Sequence, residues 1–228
     1  MVESSRLGPL TGLAGAIMYV ASAFVPGSAP KPDASTAEVV AHYVDKRGQL
    51  LVATLLASIA IALLLWFLGY VRVTLERAGG PGPRLATVTV AAWVALVVIG
   101  TVGATLSIAI IWRGAASFDP KVVQLAFDVE NLTLYALSAG AALLSVLAPS
   151  VVIWRTRVLP IWLVWLGAIE IAINLVELVG LGSRHGANTA GYAAGLGPLV
   201  WVLWVAALSV AIYQRQPRQS VEVSAQPL

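Results

Sequence analysis

Read from end to end, the chain alternates between long apolar runs and short polar breaks. Runs at 10–25, 50–71, 85–112, 132–154, 161–181 and 199–213 meet or approach the length a helix rising 1.5 Å per residue needs to cross a hydrocarbon core of about 30 Å, the first and last being short. This pattern predicts an all-α fold, a polytopic membrane protein with six transmembrane helices in one bundle. The breaks carry boundary residues. Gly8-Pro9 and Gly197-Pro198 are suited to open the first and sixth helices, because proline fits the first turn, where its missing N–H leaves nothing unbonded. Between 26 and 49, Pro26, Gly27, Pro30 and Pro32 make an extended lead-in, and Ser35 with Glu38 three residues later forms a capping box. Val39, Val40, Tyr43 and Val44 then recur at spacings of three and four, predicting a short outer amphipathic helix over 33–48. Residues 78–84, rich in Gly and Pro, make a tight turn, and the polar stretch 214–228 is expected to be a disordered cytoplasmic tail. No internal repeat suggests a transporter-like inverted pair.

Composition sharpens this. The chain is 59% hydrophobic and 11% charged, with a mean hydropathy of +0.86, where an ordinary soluble domain has about 25% charged residues. That excludes a soluble globular domain. The absence of cysteine excludes a disulfide scaffold, thiolate-bound metal and a cysteine nucleophile. The net charge of +3 does not point to nucleic acid, because the 14 Lys and Arg are scattered between apolar runs rather than gathered in a basic stripe. They read as topology signals. Six spans put Arg6, Arg72, Arg77, Arg84, Arg155, Arg157, Arg215 and Arg218 on one side, and Lys31, Lys46, Arg47, Arg113, Lys121 and Arg184 on the other. By the positive-inside rule both termini are cytoplasmic. Trp66, Tyr70, Trp154, Trp162, Trp165 and Tyr213 fall near the inner span ends, Trp112, Trp201 and Trp204 near the outer ends, and Trp93 inside a span. A rival reading takes Ala21-Ser22-Ala23 as a signal-peptide cleavage site, which leaves five spans and puts the termini on opposite sides.

The candidate chemistry lies in polar residues inside the spans. In the fifth run, Glu170, Asn174 and Glu177 lie within about 60° of arc over about 10 Å of helix, forming one polar stripe. An acid at mid-span costs about 2.5 to 3.5 kcal/mol on insertion scales, and no Lys or Arg lies inside any span. The fourth segment carries a matching stripe. Asp119-Pro120 opens its helix ahead of the apolar run, and Gln124, Asp128, Asn131, Tyr135, Ser138 and Ser145 share a face, with Glu130 pointing elsewhere. The five residues 155–159 make these two spans antiparallel neighbours, so Asp128, Asn131 and Tyr135 are expected to meet Asn174 and Glu177 in an acidic, outward-facing pocket.

Three readings of that pocket stand side by side. It binds or conducts a proton, an ion or a small apolar or cationic molecule. Alternatively its polar groups are interhelical glue in an accessory or assembly subunit, each bond contributing about 0.6 kcal/mol. Or Glu170 or Glu177 is a general acid, as in small membrane-embedded terpene cyclases, with Trp93, Tyr135, Trp201 or Trp204 guiding a cation. That last likeness is one of chemistry, since those enzymes usually have seven spans. His42 and His185 read as loop residues and no ligand spacing occurs, so no metal or cofactor is expected. The partners expected are the lipid bilayer and a small ligand, with oligomerisation open and nucleic acid excluded.

Three stretches carry a family resemblance: 12–19 opening the first span, 33–40 leading to Lys46-Arg47-Gly48, and Arg157-Val-Leu-Pro-Ile-Trp-Leu-Val-Trp-Leu-Gly167 entering the fifth. In these the chain resembles a domain-of-unknown-function family of bacterial six-span integral membrane proteins, abundant in actinobacteria and bacilli. The family often has Arg where this chain has Ile161. The resemblance implies topology and no chemistry.

Overall fold

The computed structural model describes the backbone of residues 7–31, 33–180 and 187–215, and the side chains of these apart from 135, 136, 177–180 and 187–195. The tail after Arg215, and Arg6, Arg184 and His185, lie outside the described residues. Every regular element among them is helical: α1 (Thr11–Phe24), α2 (Thr36–Asp45), α3 (Arg47–Arg77), α4 (Gly82–Arg113), α5 (Pro120–Leu132), α6 (Ala139–Thr156), α7 (Trp162–Gly180) and α8 (Ala187–Arg215). A 3-10 turn, Gly8–Leu10, leads into α1 with proline in its first turn, as expected of Gly8-Pro9.

Among the described residues, four stretches are long and apolar enough to cross a membrane: α3, α4, α6 and Leu196–Arg215 of α8. Gly8–Phe24 and the Trp162–Val176 part of α7 are shorter apolar helices. The long helices pack in sequence, α3 on α4, α4 on α6, α6 on α7 and α7 on α8, while α1 lies against both α8 and α3. Small residues bring the backbones together, which matters where lipid is as apolar as the side chains and close contact is the main attraction. A Cβ on Gly12 would stand 2.6 Å from the Phe67 ring, and one on Gly15 would stand 2.9 Å from Leu64. Ser209 adds a polar tie, donating to Pro9 O at 2.7 Å and accepting from Leu13 N at 3.0 Å.

Three expectations are corrected. α8 begins at Ala187 and runs through Pro198, which therefore interrupts one rung inside the helix instead of opening it. Trp201 and Trp204 are not an outer belt. Trp204 is fully buried with Nε1 donating to Leu163 O at 3.0 Å, and Trp201 packs on the buried Trp93 with ring centroids 5.2 Å apart. Trp66, Trp112, Trp154, Trp162 and Trp165 are the exposed ones. The fourth segment is not one regular helix either, because a π-turn, Thr133–Leu137, separates α5 from α6.

A second core lies around the last turns of α4. The capping box closes α2, with Ser35 N donating to Glu38 Oε2 at 2.8 Å, and α2 packs against α5. Val39 and Tyr43 are buried there against Ile110, Ile111, Val123, Ala126 and Phe127. Arg47, at the start of α3, closes the last turn of α4, donating to Ile111 O at 2.9 Å and Trp112 O at 2.7 Å. The chain then leaves α4 through Gly114, whose φ of +91° only glycine adopts without strain.

Candidate functional site

Glu170 sits halfway along α7 and is 1% exposed; Asn174, one turn on, is 2% exposed. The Asn174 amide donates to both Glu170 O at 2.9 Å and Glu170 Oε1 at 2.8 Å, folding the acid against its own helix. One turn earlier, Gly167 lets α6 come close, since a Cβ there would stand 2.7 Å from Ser150 Oγ and 3.0 Å from Val146. A buried carboxyl held by an amide donor can take up a proton or ligate a small cation.

The α5–α6 stripe splits at the π-turn. Asp128 is exposed, accepting from Gln124 Nε2 at 2.9 Å, whereas Ser138 and Ser145 are buried. The cause is geometric. A π-turn spends one extra residue, so a helical wheel drawn at 3.6 residues per turn is out of phase beyond it by about 100°. Ser138 N donates to Thr133 O at 3.2 Å, five residues back, which is the π bond itself. Asn131, partly buried, donates to Phe127 O at 2.8 Å within its own helix. The π-turn lies against α7, so this segment and the Glu170 helix do meet, while Asp128 faces away from the buried interior. The side chains of Tyr135 and Glu177 lie outside the described residues.

Sequence reasoning set Glu130 aside, yet it joins a buried cluster. Tyr43 Oη lies 3.0 Å from Ser107 Oγ and 3.4 Å from Glu130 Oε2, uniting α2, α4 and α5. Burial raises the Glu130 carboxyl above its ordinary value, with hydrogen bonds from Ser107 and Tyr43 opposing it less strongly. Burial, and then the neighbouring Glu130 charge, push the Tyr43 hydroxyl up as well. The signal was present in the spacing: Glu130 comes four residues after Ala126 and three after Phe127, which themselves come three and four after Val123, so the acid lies on the apolar face of α5.

The tryptophans serve a different purpose from a cation-guiding wall. Pro149 inside α6 has no N–H to give the carbonyl four residues back, which belongs to Ser145. Trp93 Nε1 supplies the donor instead, at 3.2 Å from Ser145 O. Trp201 Nε1 donates to Ser145 Oγ at 3.0 Å, and that hydroxyl donates to Ala142 O at 2.6 Å. The indoles thus repair a proline break between α4, α6 and α8.

Two hollows open on the bundle surface. One of about 730 Å³ runs from Leu65 and Trp66 of α3 to Arg77 and Arg215, and a smaller one of about 130 Å³ lies between α6 and α7 beside Ser150 and Ile171. Neither is lined by Glu170. No group of three or more His, Cys, Asp or Glu able to hold a metal ion occurs among the described residues. Comparison with known proteins returns no match to a family model, a curated protein or a solved structure.

Proposed function

We propose that the chain is a six-span membrane protein with both termini cytoplasmic, of the bacterial kind it resembles, and that Glu170 with Asn174 is its site for a proton or small cation. The observation that carries this reading is a carboxyl 1% exposed at the middle of an apolar helix, with an amide donor 2.8 Å from one oxygen. Ionisable groups at that depth mark proton and ion paths, and π-turns such as the one beside α7 recur at functional sites.

Six crossings are supported by the packing order and by the ends of the helices. Gly8 lies under Tyr70, and Arg215 Nη2 donates to Arg157 O at 3.3 Å, so the first described helix begins and the last one ends beside the arginine-rich turns. α1 with its lead-in turn holds 17 residues and α7 holds 19, about 26 and 28 Å of helix, which spans a bilayer with slight local thinning. The ties between α1, α3 and α8 favour retention of the first helix over its cleavage. The general-acid reading is weaker, because Trp93, Trp201 and Trp204 are engaged in the core and the larger hollow lies elsewhere.

Infrared spectra of the protein in nanodiscs, taken as pH and cation concentration vary, test the site. The parent is expected to show a buried carboxyl band that responds and is absent from Glu170→Gln, while the variant keeps its fold because Gln still accepts from Asn174. A parent without such a band, or with one that Glu170→Gln leaves unchanged, overturns the site and leaves these residues as interhelical glue.

A further inference from the structure

The groove at the arginine-rich end of the bundle is separate from the Glu170 site. Its floor is apolar, formed by Leu65 and Gly69 of α3 and Ile212 of α8, and its mouth carries Arg77 and Arg215. Leu65 and Arg77 are twelve residues apart on one helix, so the groove runs about 18 Å along the axis, from hydrocarbon depth to headgroup level. Its volume, about 730 Å³, lies within the range of about 300 to 1,000 Å³ typical of small-molecule sites.

Three further observations decide what fits. Gly69 is a helix-interior glycine at which a Cβ would meet nothing within 4 Å, so it deepens the floor without being needed for helix contact. Leu65 and Trp66, both lining the groove, are 39% and 67% exposed, so the groove opens sideways to acyl chains rather than toward water. Arg77 and Arg215 are both exposed, and among the described residues neither forms an ion pair, Glu76 being taken by Arg72 at 2.8 Å. Arg215 is oriented by the Arg157 carbonyl, at the left-handed residue (φ 55°) that ends α6.

We propose that this groove holds one anionic phospholipid of the cytoplasmic leaflet, its phosphate between Arg77 and Arg215 and an acyl chain along Leu65, Gly69 and Ile212. A basic mouth over an apolar floor complements both halves of such a molecule, whereas a zwitterionic lipid offers no net charge to the two guanidinium groups. The inference rests on the membrane reading and not on the Glu170 site.

The full chain in detergent, titrated with dioleoylphosphatidylglycerol or dioleoylphosphatidylcholine, tests it by native mass spectrometry. One phosphatidylglycerol is expected to be retained roughly tenfold or more tightly than phosphatidylcholine. The double variant Arg77→Gln, Arg215→Gln should lose that preference. Gly69→Leu, which fills the floor, should weaken both lipids about tenfold with unchanged circular dichroism. If Gly69→Leu does not fold, the exposed arginine pair still carries the test. Equal retention of the two lipids by the parent, or a preference that survives loss of both arginines, overturns the proposal. So does displacement by glycerol phosphate alone as readily as by the lipid, which would mean a free-anion site. Glu170→Gln should keep the lipid preference, so failure of one reading is distinguishable from failure of the other.

Discussion

Single residues carry out-of-the-ordinary duties where the helices change direction or depth. Glu130 is the clearest case outside the spans. Its folded-state value lies above the ordinary 4.5, so its contribution to stability is fully present below 4.5 and is lost as pH rises through the folded value. His42 works in the other sense, since burial and then Lys46 lower it below 6.5 and stability falls as pH drops below that value. Comparing Glu130→Gln with the parent isolates the carboxyl: the protection of α2 amides, measured relative to the intrinsic base-catalysed exchange rate, should fall as pH rises above 4.5 in the parent and stay level in the variant. Ser145 offers a second test. Trp93→Phe removes the donor to its buried carbonyl and should lower stability by about 1 to 3 kcal/mol. With Pro149→Ala the helix supplies its own N–H, so the cost of Trp93→Phe should shrink, a coupling that thermal unfolding of the four proteins in a double-mutant cycle measures.

At the scale of elements, contact between helices decides which glycines matter. Gly12 has Phe67 where its Cβ would stand, at 2.6 Å, and Gly103 has Thr133 of the π-turn at 2.5 Å. Gly69 has open space. Gly12→Ala should therefore destabilise by about 1 to 3 kcal/mol, because α1 must move off α3, while Gly69→Ala should stabilise by about 0.5 to 1 kcal/mol through helix entropy alone. Thermal unfolding followed by circular dichroism gives both signs. The spacing of three and four puts Gly8, Gly12 and Gly15 on one face, a pattern that suits close helix packing, yet Gly69 sits in a similar apolar run and does the opposite. Nothing in the local sequence separates the two cases, since the difference is which neighbour stands opposite.

For the whole molecule, the decisive quantity is the side of the membrane on which the ends lie. The chain has no cysteine, so single introduced thiols report cleanly. A membrane-impermeant maleimide should label Ser117→Cys in intact cells and Gln214→Cys only after permeabilisation. Labelling of Gln214→Cys from outside overturns the six-span topology, while the five-span alternative, whose tail also stays inside, is separated from it by the N-terminal sequence of the membrane-inserted protein. Arg47 shows how whole-molecule charge and local chemistry combine: the positive-inside rule predicts it on the outer side, and it closes the α4 C-terminus, where a cation faces the negative end of the helix dipole.

The all-helical class, the capping box at Ser35 and Glu38, the start at Asp119-Pro120 and the close glycine packing of α1 all follow from the one-dimensional pattern. Each depends on residues a few positions apart, and local geometry converts that spacing directly into structure. Glu170 and Asn174 were legible for the same reason, being one turn apart on one regular helix. Asp128 was not, because the π-turn shifts the phase between it and Ser138, and a helical wheel has no means of registering an inserted residue. The Tyr43–Ser107–Glu130 cluster joins residues 64 and 87 positions apart, and the Trp93 bond to Ser145 spans 52. Those partners were decided by which helix faces meet in the folded chain, because burial makes every unpaired donor and acceptor costly and selects the long-range neighbour able to satisfy it.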